Sequence, residues 1–428
     1  MSITCLNRKV QFVLLAMEGP DLYSMAGGLG VRMTELSRCL AELGYATHLF
    51  FVGDPNLPAI EVSGNLTLHR WCQWLSVSYP KGVYEGERAK MHELESCWPA
   101  WVIDNVVRPG LEQGMVTVFL TEDWQTVQTT INLGEELRRQ NLERRTLILW
   151  NANNSYGFSE IDWKKLDSCA VITAVSRYMK HDMWKLETNP VVVRNGIPKR
   201  ELLPVPQDQT DALRLQFPGL LLAKVGRYSE DKRWIMAIEA VAELKKRGLH
   251  PRMIVRGGNE QHRFEVQERA RSLGLVWQEV PAPQDKSVAG IIQALAGSPI
   301  ADIYELCFFV PEDFIRVLYA GADFVLANSG HEPFGLVGLE VMACGGLAFV
   351  GATGEDYASN LVNCVSIETS DPLEMAVYIE ALLNQRDMMS EIRRNGRINA
   401  EAFTWNKVAM DLFMKINFLA IKRGVQLI

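Results

Sequence analysis

The segment His331-Glu332-Pro333-Phe334-Gly335-Leu336-Val337-Gly338-Leu339-Glu340 sets two carboxylates eight residues apart, Glu332 in a loop and Glu340 about two turns into the following helix. Carboxylates accept hydrogen bonds from sugar hydroxyls, and the first N–H groups of a helix, here those of Leu336 and Val337, suit an anionic diphosphate. The plainer alternative makes Glu332 a partner of the helix dipole and Glu340 a solvated helix charge. A second segment, Gly226-Arg227-Tyr228-Ser229-Glu230-Asp231-Lys232, directly follows a strand-like run. Arg227 and Lys232 could reach one diphosphate, the first as a planar fork and the second as a point charge, or they could form local ion pairs with Glu230 and Asp231. Two cations and a helix N-terminus can balance a leaving nucleoside diphosphate, so no metal and no cofactor are expected. The third segment, Gly27-Gly28-Leu29-Gly30, lets backbone approach a ligand closely. It is not a full G-x-G-x-x-G run with a ribose-binding acid at the usual distance, which disfavours a nicotinamide dehydrogenase.

These residues need strands and helices to hold them. Val10–Met17 reads as a strand, the Glu18–Gly30 loop follows, and Val31, Leu36, Leu40 and Leu43 mark a helix closed by Gly44 before a strand at His48–Val52. Strand-like runs at 115–120, 147–150 and 170–174 alternate with helical segments, which predicts a parallel sheet covered on both faces. Pro198, Pro204, Pro206 and Pro218 break a polar stretch read as irregular and as the domain boundary. The pattern then restarts: strand 220–225, loop 226–233, helix 234–247, Gly248, strand 253–256. Further on come strand 323–327, loop 328–334, helix 335–344 and strand 347–350. The expected class is α/β with two Rossmann-like domains, 1–200 and 201–404. A helix at 405–428 is expected to follow.

Bulk composition agrees with two domains, because 428 residues exceed what one core usually holds. No stretch reaches the ~18 apolar residues of a membrane span, so no integral membrane contact is expected. Met1–Gln11 lacks the apolar core of a signal peptide, which points to the cytoplasm. A net charge of −7 disfavours nucleic acid as a partner. Eight cysteines, at 5, 39, 72, 97, 169, 307, 344 and 364, form no C-x-x-C pair and read as reduced thiols.

Taken in order, the E-x7-E segment, the G-R-x4-K loop, the glycine loop, Thr173-Ala174-Val175-Ser176-Arg177, Asn195-Gly196-Ile197 and Phe403-Thr404-Trp405 resemble the motifs of retaining GT-B glycosyltransferases. The likeness is to family four, which contains sucrose-phosphate synthases, with glycogen-synthase character at the front, and it runs from about residue 27 to 405. It implies two domains facing across a cleft, 1–200 taking the acceptor and 201–404 the nucleotide sugar, and a C-terminal helix that returns to the first. It implies transfer of a hexose, with glucose expected, from a UDP- or ADP-sugar to a hydroxylated acceptor. By match, Glu332 contacts the transferred sugar, Glu340 holds the ribose, Arg227 and Lys232 hold the diphosphate, and Gly28 lies where a glycine loop nears donor and acceptor. Phe334, Gly335, Leu336 and Val337 complete the donor segment.

The departures from that pattern matter. Met25-Ala26-Gly27-Gly28 lacks the lysine of glycogen synthases, and in Thr121-Glu122-Asp123-Trp124-Gln125 an acid, Glu122, stands where a sugar-contacting histidine would be. Asn153, in Asn151-Ala152-Asn153-Asn154, either bonds a sugar or ends a strand. His331 is a further candidate for the donor sugar. Two readings therefore stand beside the first: transfer to a sugar phosphate, as in sucrose-phosphate synthases, and a degenerate member that binds nucleotide or glycan without turnover. Trp71, Trp74, Trp98 and Trp101 are either an acceptor platform or helix packing, with packing the commoner use. Arg88 and Lys90 either bind an acceptor phosphate or form a solvated face.

Overall fold

The computed structural model describes residue 6 and residues 9–427; Cys5 and most of the Met1–Gln11 lead lie outside the described residues. The chain divides into two compact units, Met1–Gly196 with Thr404–Ile428, and Ile197–Phe403.

The first unit is built on eight strands: β1 Val10–Leu15, β2 Ala46–Val52, β3 Ile60–Ser63, β4 Leu66–Trp71, β5 Val116–Glu122, β6 Thr146–Ala152, β7 Val171–Ala174 and β8 Val191–Val192. Their order is β3-β4-β2-β1-β5-β6-β7-β8, and every pair is parallel except β3 with β4. β1 and β5 are buried along their whole length, which is why they read as unbroken apolar runs: helices cover both faces of the sheet. The β3–β4 hairpin is an addition to the expected pattern. It turns at Gly64, whose φ of +59° is left-handed, and β3 lies exposed at the sheet edge. The C-terminal helix Trp405–Arg423 belongs to this unit, and its Val408, Leu412, Ile416 and Leu419 join the core formed by β1, β2 and β5. Phe413 stacks on Phe12 at 6.0 Å and meets Tyr45 edge-on at 5.1 Å.

The second unit has seven strands, all parallel: β9 Leu221–Val225, β10 Arg252–Arg256, β11 Trp277–Val280, β12 Ile303–Leu306, β13 Phe324–Ala327, β14 Ala348–Gly351 and β15 Val365–Ile367, in the order β11-β12-β10-β9-β13-β14-β15. The proline-broken stretch differs from expectation, for it holds the helix Gln207–Gln216. Pro206 stands at its N-cap with φ −58°, a value the helix start accepts, and no proline falls inside it. Among the described residues no helix is long and apolar enough to cross a membrane. Among the described residues Cys72, Cys97, Cys169, Cys307, Cys344 and Cys364 are free thiols.

Both sheets reverse direction once. In the first unit the chain leaves β1 toward β2 on one side and returns on the other side at β5; in the second it leaves β9 toward β10 and returns at β13. Loops at the carboxyl ends of the two strands flanking such a switch point diverge and leave a crevice, the usual ligand position in open α/β sheets. The Glu18–Gly30 loop follows β1 and Asp123 follows β5; residues 226–233 follow β9 and 328–335 follow β13. Topology alone therefore brings the glycine loop, the G-R-x4-K loop and the start of the E-x7-E segment to one of two switch points.

Candidate functional site

At the second unit's switch point, the loop after β9 and the loop after β13 meet: the Gly330 amide donates to the Asp231 carbonyl at 2.7 Å, and the Lys232 ammonium pairs with the Glu332 carboxylate. Lys232 also lies 3.6 Å from Asp231. Arg227 is exposed, and among the described residues its guanidinium makes no hydrogen bond or ion pair; its carbonyl is held by the Trp234 indole at 2.7 Å.

The helix Leu336–Ala343 starts at Gly335, whose φ of +78° is left-handed and whose Cβ, if present, would lie 2.7 Å from Glu355 Cγ. Glycine is required there on both counts. Among the described residues nothing accepts from the amides of Leu336 or Val337, and no side chain caps the helix. Phe334 is buried edge-on to Tyr357, whose hydroxyl donates to the Gly335 carbonyl and so fixes the turn. Glu340 is half-buried on this helix. Burial pushes its carboxyl up to about 7, with the Glu312 charge adding to the rise. His331 is exposed beside Glu332. Lys232 and Glu332 are thus in contact, Arg227 stands unpaired on the same loop as Lys232, and the Glu340 carboxylate accepts no hydrogen bond among the described residues.

Two residues of this site escaped the sequence reading. Lys224, inside β9, is buried; it donates to Leu326 O at 3.0 Å and Asn328 Oδ1 at 2.7 Å, and lies 5.1 Å above the Trp234 ring. Burial pushes its ammonium down to about 7, and the Lys232 charge lowers it further. Its signal was a lone charge within the apolar run Leu221–Val225. The loop after β14 contributes Glu355, buried, accepting from the Thr353 amide at 3.0 Å and hydroxyl at 3.2 Å. Burial pushes this carboxyl up to about 8, and the Glu332 charge also raises it. Gly354 gives its amide to the Glu332 carbonyl at 2.8 Å, and a Cβ there would lie 2.2 Å from that oxygen. Glu332 is therefore gripped from both sides.

The first unit's switch point is more closed than its glycines suggested. Glu18, buried, accepts from the amides of Ala26 at 3.2 Å, Gly27 at 2.8 Å and Gly30 at 2.9 Å, and its other oxygen takes the Tyr84 hydroxyl. The start of the helix Gly28–Glu42 thus already faces a carboxylate of the chain itself. Gly28 is exposed beside it.

Glu122 is buried and accepts from Arg32 Nε at 3.1 Å and Arg32 Nη2 at 3.0 Å, from Asn151 Nδ2 at 2.9 Å and from Asn153 Nδ2 at 2.5 Å. The two candidate sugar contacts of this unit, Glu122 and Asn153, spend these groups on each other and on Arg32. Lys90, expected on a solvated face or at an acceptor phosphate, is wholly buried, donating to Tyr23 Oη and to the carbonyls of Gly82, Val83 and Glu85. A ring of carbonyls replaces its water. Trp71, Trp98 and Trp101 pack edge-on around Phe50, whereas Trp74 is exposed.

Asp123 carries the one strained backbone of this crevice: φ +69° with ψ 167°, a region almost confined to glycine and costing about 1–3 kcal/mol. Its buried carboxylate accepts from the Trp124 amide at 3.0 Å and Asn154 Nδ2 at 2.5 Å. Burial pushes the carboxyl up to about 7, and the Glu122 and Glu18 charges add to the rise. An ordinary aspartate titrates near 4, so between about pH 4 and 7 the folded chain binds more protons here than the unfolded chain, and stability falls as pH rises through that window. Asp123→Asn should therefore show a smaller drop in melting temperature from pH 5 to pH 8 than the parent chain. Calorimetry at the two pH values checks it, and an unchanged drop would place that proton elsewhere.

Among the described residues one group has metal-ligand spacing, Glu279, Glu305 and Cys307. The Arg263 guanidinium already reaches all three, at 2.7 Å from each carboxylate and 3.6 Å from the thiol.

Residues 299–399, the stretch containing Glu332 to Glu340, match the family of glycosyl transferases group 1. The chain is 34% identical over 125 residues to the D-inositol 3-phosphate glycosyltransferase of Geodermatophilus obscurus, a match covering 28% of this chain and 26% of that relative, so it spans about a quarter of the relative's length. Among solved structures it is similar to the sucrose-phosphate synthase from Thermosynechococcus elongatus, with TM-score 0.67, 18% identity, and coverage of 96% and 99% of the two chains. It is also similar to the catalytic domain of starch synthase IV from Arabidopsis thaliana bound to ADP and acarbose, with TM-score 0.66, 13% identity, and coverage of 97% and 99%. At these identities the likeness shows the fold, the GT-B architecture of two Rossmann-like units.

Proposed function

We propose that this chain, a GT-B protein carrying a group 1 glycosyltransferase domain, transfers a hexose, with glucose expected, from a UDP- or ADP-sugar to a hydroxylated small-molecule acceptor, with retention and without a metal. The observation that carries the reading is the Lys232–Glu332 pair beside the unbonded amides of Leu336 and Val337 and the unpaired Arg227. A diphosphate entering there meets two cations and a helix N-terminus, enough positive charge to hold it and to stabilise it as it leaves. Lys232 then turns from Glu332 to phosphate, which frees the Glu332 carboxylate for a sugar hydroxyl. Glu340, on the same helix and with no donor on its carboxylate among the described residues, takes the ribose hydroxyls. The departing phosphate accepts the proton of the incoming acceptor hydroxyl on the face it leaves, so configuration is kept.

One observation favours a second reading, nucleotide binding without turnover: in the first unit, Glu18 consumes the glycine-loop amides and Arg32 consumes Glu122. Nucleotide binding and turnover separate the two. UDP or ADP at ~100 times its dissociation constant should raise stability by about 2.7 kcal/mol in a thermal-shift assay. Arg227→Ala should weaken that binding roughly 10- to 100-fold, since a hydrogen bond to a charged group contributes ~1.5–3 kcal/mol. Release of UDP or ADP from the sugar nucleotide, dependent on an added acceptor, supports the transferase. Binding without release supports the second reading, and no response to any nucleoside diphosphate defeats both.

A further inference from the structure

The second unit holds a cavity of about 480 Å³ at the edge opposite the donor loops. Its walls come from the residues that precede the strands, Asp323 before β13 and Gly345 before β14, whereas the loops described above follow the strands. Three guanidiniums line it: Arg214, Arg393 and Arg397.

Their existing bonds leave much of that donor capacity unused. Arg393 gives one terminal nitrogen to the carbonyls of Ala322 at 2.7 Å and Asp323 at 3.0 Å, while its Nε is buried without any partner. Arg397 serves the carbonyls of Ala343 at 2.8 Å and Leu202 at 2.5 Å. Arg214 serves the Asp323 carboxylate at 2.9 Å and the Gly219 carbonyl at 2.7 Å. Two carboxylates also line the cavity, and both are engaged: Asp323 by Arg214 and the Leu221 amide, Asp211 by Gln207. The lining therefore carries a net positive charge. Burial lowers the Arg393 guanidinium, and the Arg214 charge lowers it as well, against the Asp323 carboxylate, which favours it. A buried N–H with no acceptor is destabilising, and bringing guanidiniums together in a half-closed space is more so unless an anion joins them.

We propose that this cavity is a second anion site, binding a phosphate or a phosphomonoester between Arg214, Arg393 and Arg397. Guanidinium forks match phosphate oxygens bidentately, and the volume lies within the range of small-molecule sites, which leaves room for an organic body beyond the phosphate. The site is independent of the transfer reaction, sharing no side chain with Arg227, Lys232, Glu332 or Glu340.

The test is calorimetric titration of inorganic phosphate, and separately of a hexose 6-phosphate, into the full chain, with potassium chloride at matched ionic strength as reference. The Arg227→Ala/Lys232→Ala chain, which lacks the donor-phosphate cations, should bind as the parent does. Arg393→Gln should weaken binding about tenfold or more, the loss expected for a charge-assisted hydrogen bond. Gln207→Glu adds an exposed carboxylate at the rim, in the first turn of a helix where an acid suits the dipole although the bond to Asp211 is given up, and should weaken binding several-fold. It decides the matter should Arg393→Gln fail to fold. The proposal is overturned by heat equal to that of chloride, by binding lost in the Arg227→Ala/Lys232→Ala chain, or by binding that Gln207→Glu and a folded Arg393→Gln leave unchanged.

Discussion

Lys232→Ala is expected to lower kcat/KM for donor turnover by about 10²–10³ while leaving the melting temperature of the second unit nearly unchanged. The two effects separate because the pair is partly exposed: the side chains of Lys232 and Glu332 are 22% and 19% accessible. An ion pair reached by water contributes only ~0–1 kcal/mol to folding, and the Glu332 left behind is hydrated rather than stranded. In the reaction the same ammonium faces charge that grows on the leaving diphosphate. Removing one fixed donor from such a position costs ~2.7–4 kcal/mol of barrier. Arg227 cannot take over, because a fork placed for one phosphate oxygen does not replace a point charge placed for another. Release of UDP or ADP against donor concentration, with calorimetry of the same preparation, reads both quantities. A kcat/KM within about threefold of the parent would remove Lys232 from the reaction, and a large loss of stability would make it a structural residue.

How much of this was legible depended on whether the deciding neighbour lay close in sequence. The strands β9 and β13, the loops after them and the helix start at Gly335 were readable, because apolar runs, a glycine and a following periodic segment sit together in the chain. Lys232 and Glu332 were each recognisable by motif, and parallel topology then brought them into contact across 100 residues. The hairpin of β3 and β4 also had a local signal, Gly64-Asn65 between two β-rich runs, which went unread. Other features had no local signal. Glu18 reads as one more loop acid until the loop folds back and offers it three amides. Lys90 reads as a surface cation on a charged helix, and only the carbonyls of Gly82, Val83 and Glu85 make its burial tolerable. The φ of Asp123 follows from the pinning of Trp124 and Asn154 around it, which no residue type announces.

The acid at position 122 is the departure with the largest consequence for folding. Arg32 lies on the helix that follows the glycine loop, 90 residues before Glu122, and the two side chains are 1% and 2% accessible. Arg32 also donates to Asn195 Oδ1 at 2.7 Å and the Arg194 carbonyl at 3.1 Å, and lies 5.9 Å from the Trp405 ring centroid. It therefore ties β5, the segment after β8 and the C-terminal helix into one core. Arg32→Ala strands a buried carboxylate with only the Asn151 and Asn153 amides to hold it. Breaking a buried pair in this way costs about 3–5 kcal/mol, which lowers the melting temperature of the first unit by roughly 6–20 °C. Replacing both partners by apolar residues of similar volume, Arg32→Met with Glu122→Leu, should cost less than Arg32→Ala alone, because no charge is then left in the core. Calorimetric unfolding of the two variants beside the parent distinguishes them. A loss below about 1 kcal/mol for Arg32→Ala would mean that water reaches Glu122, and the carboxylate would then be open to a sugar hydroxyl after all.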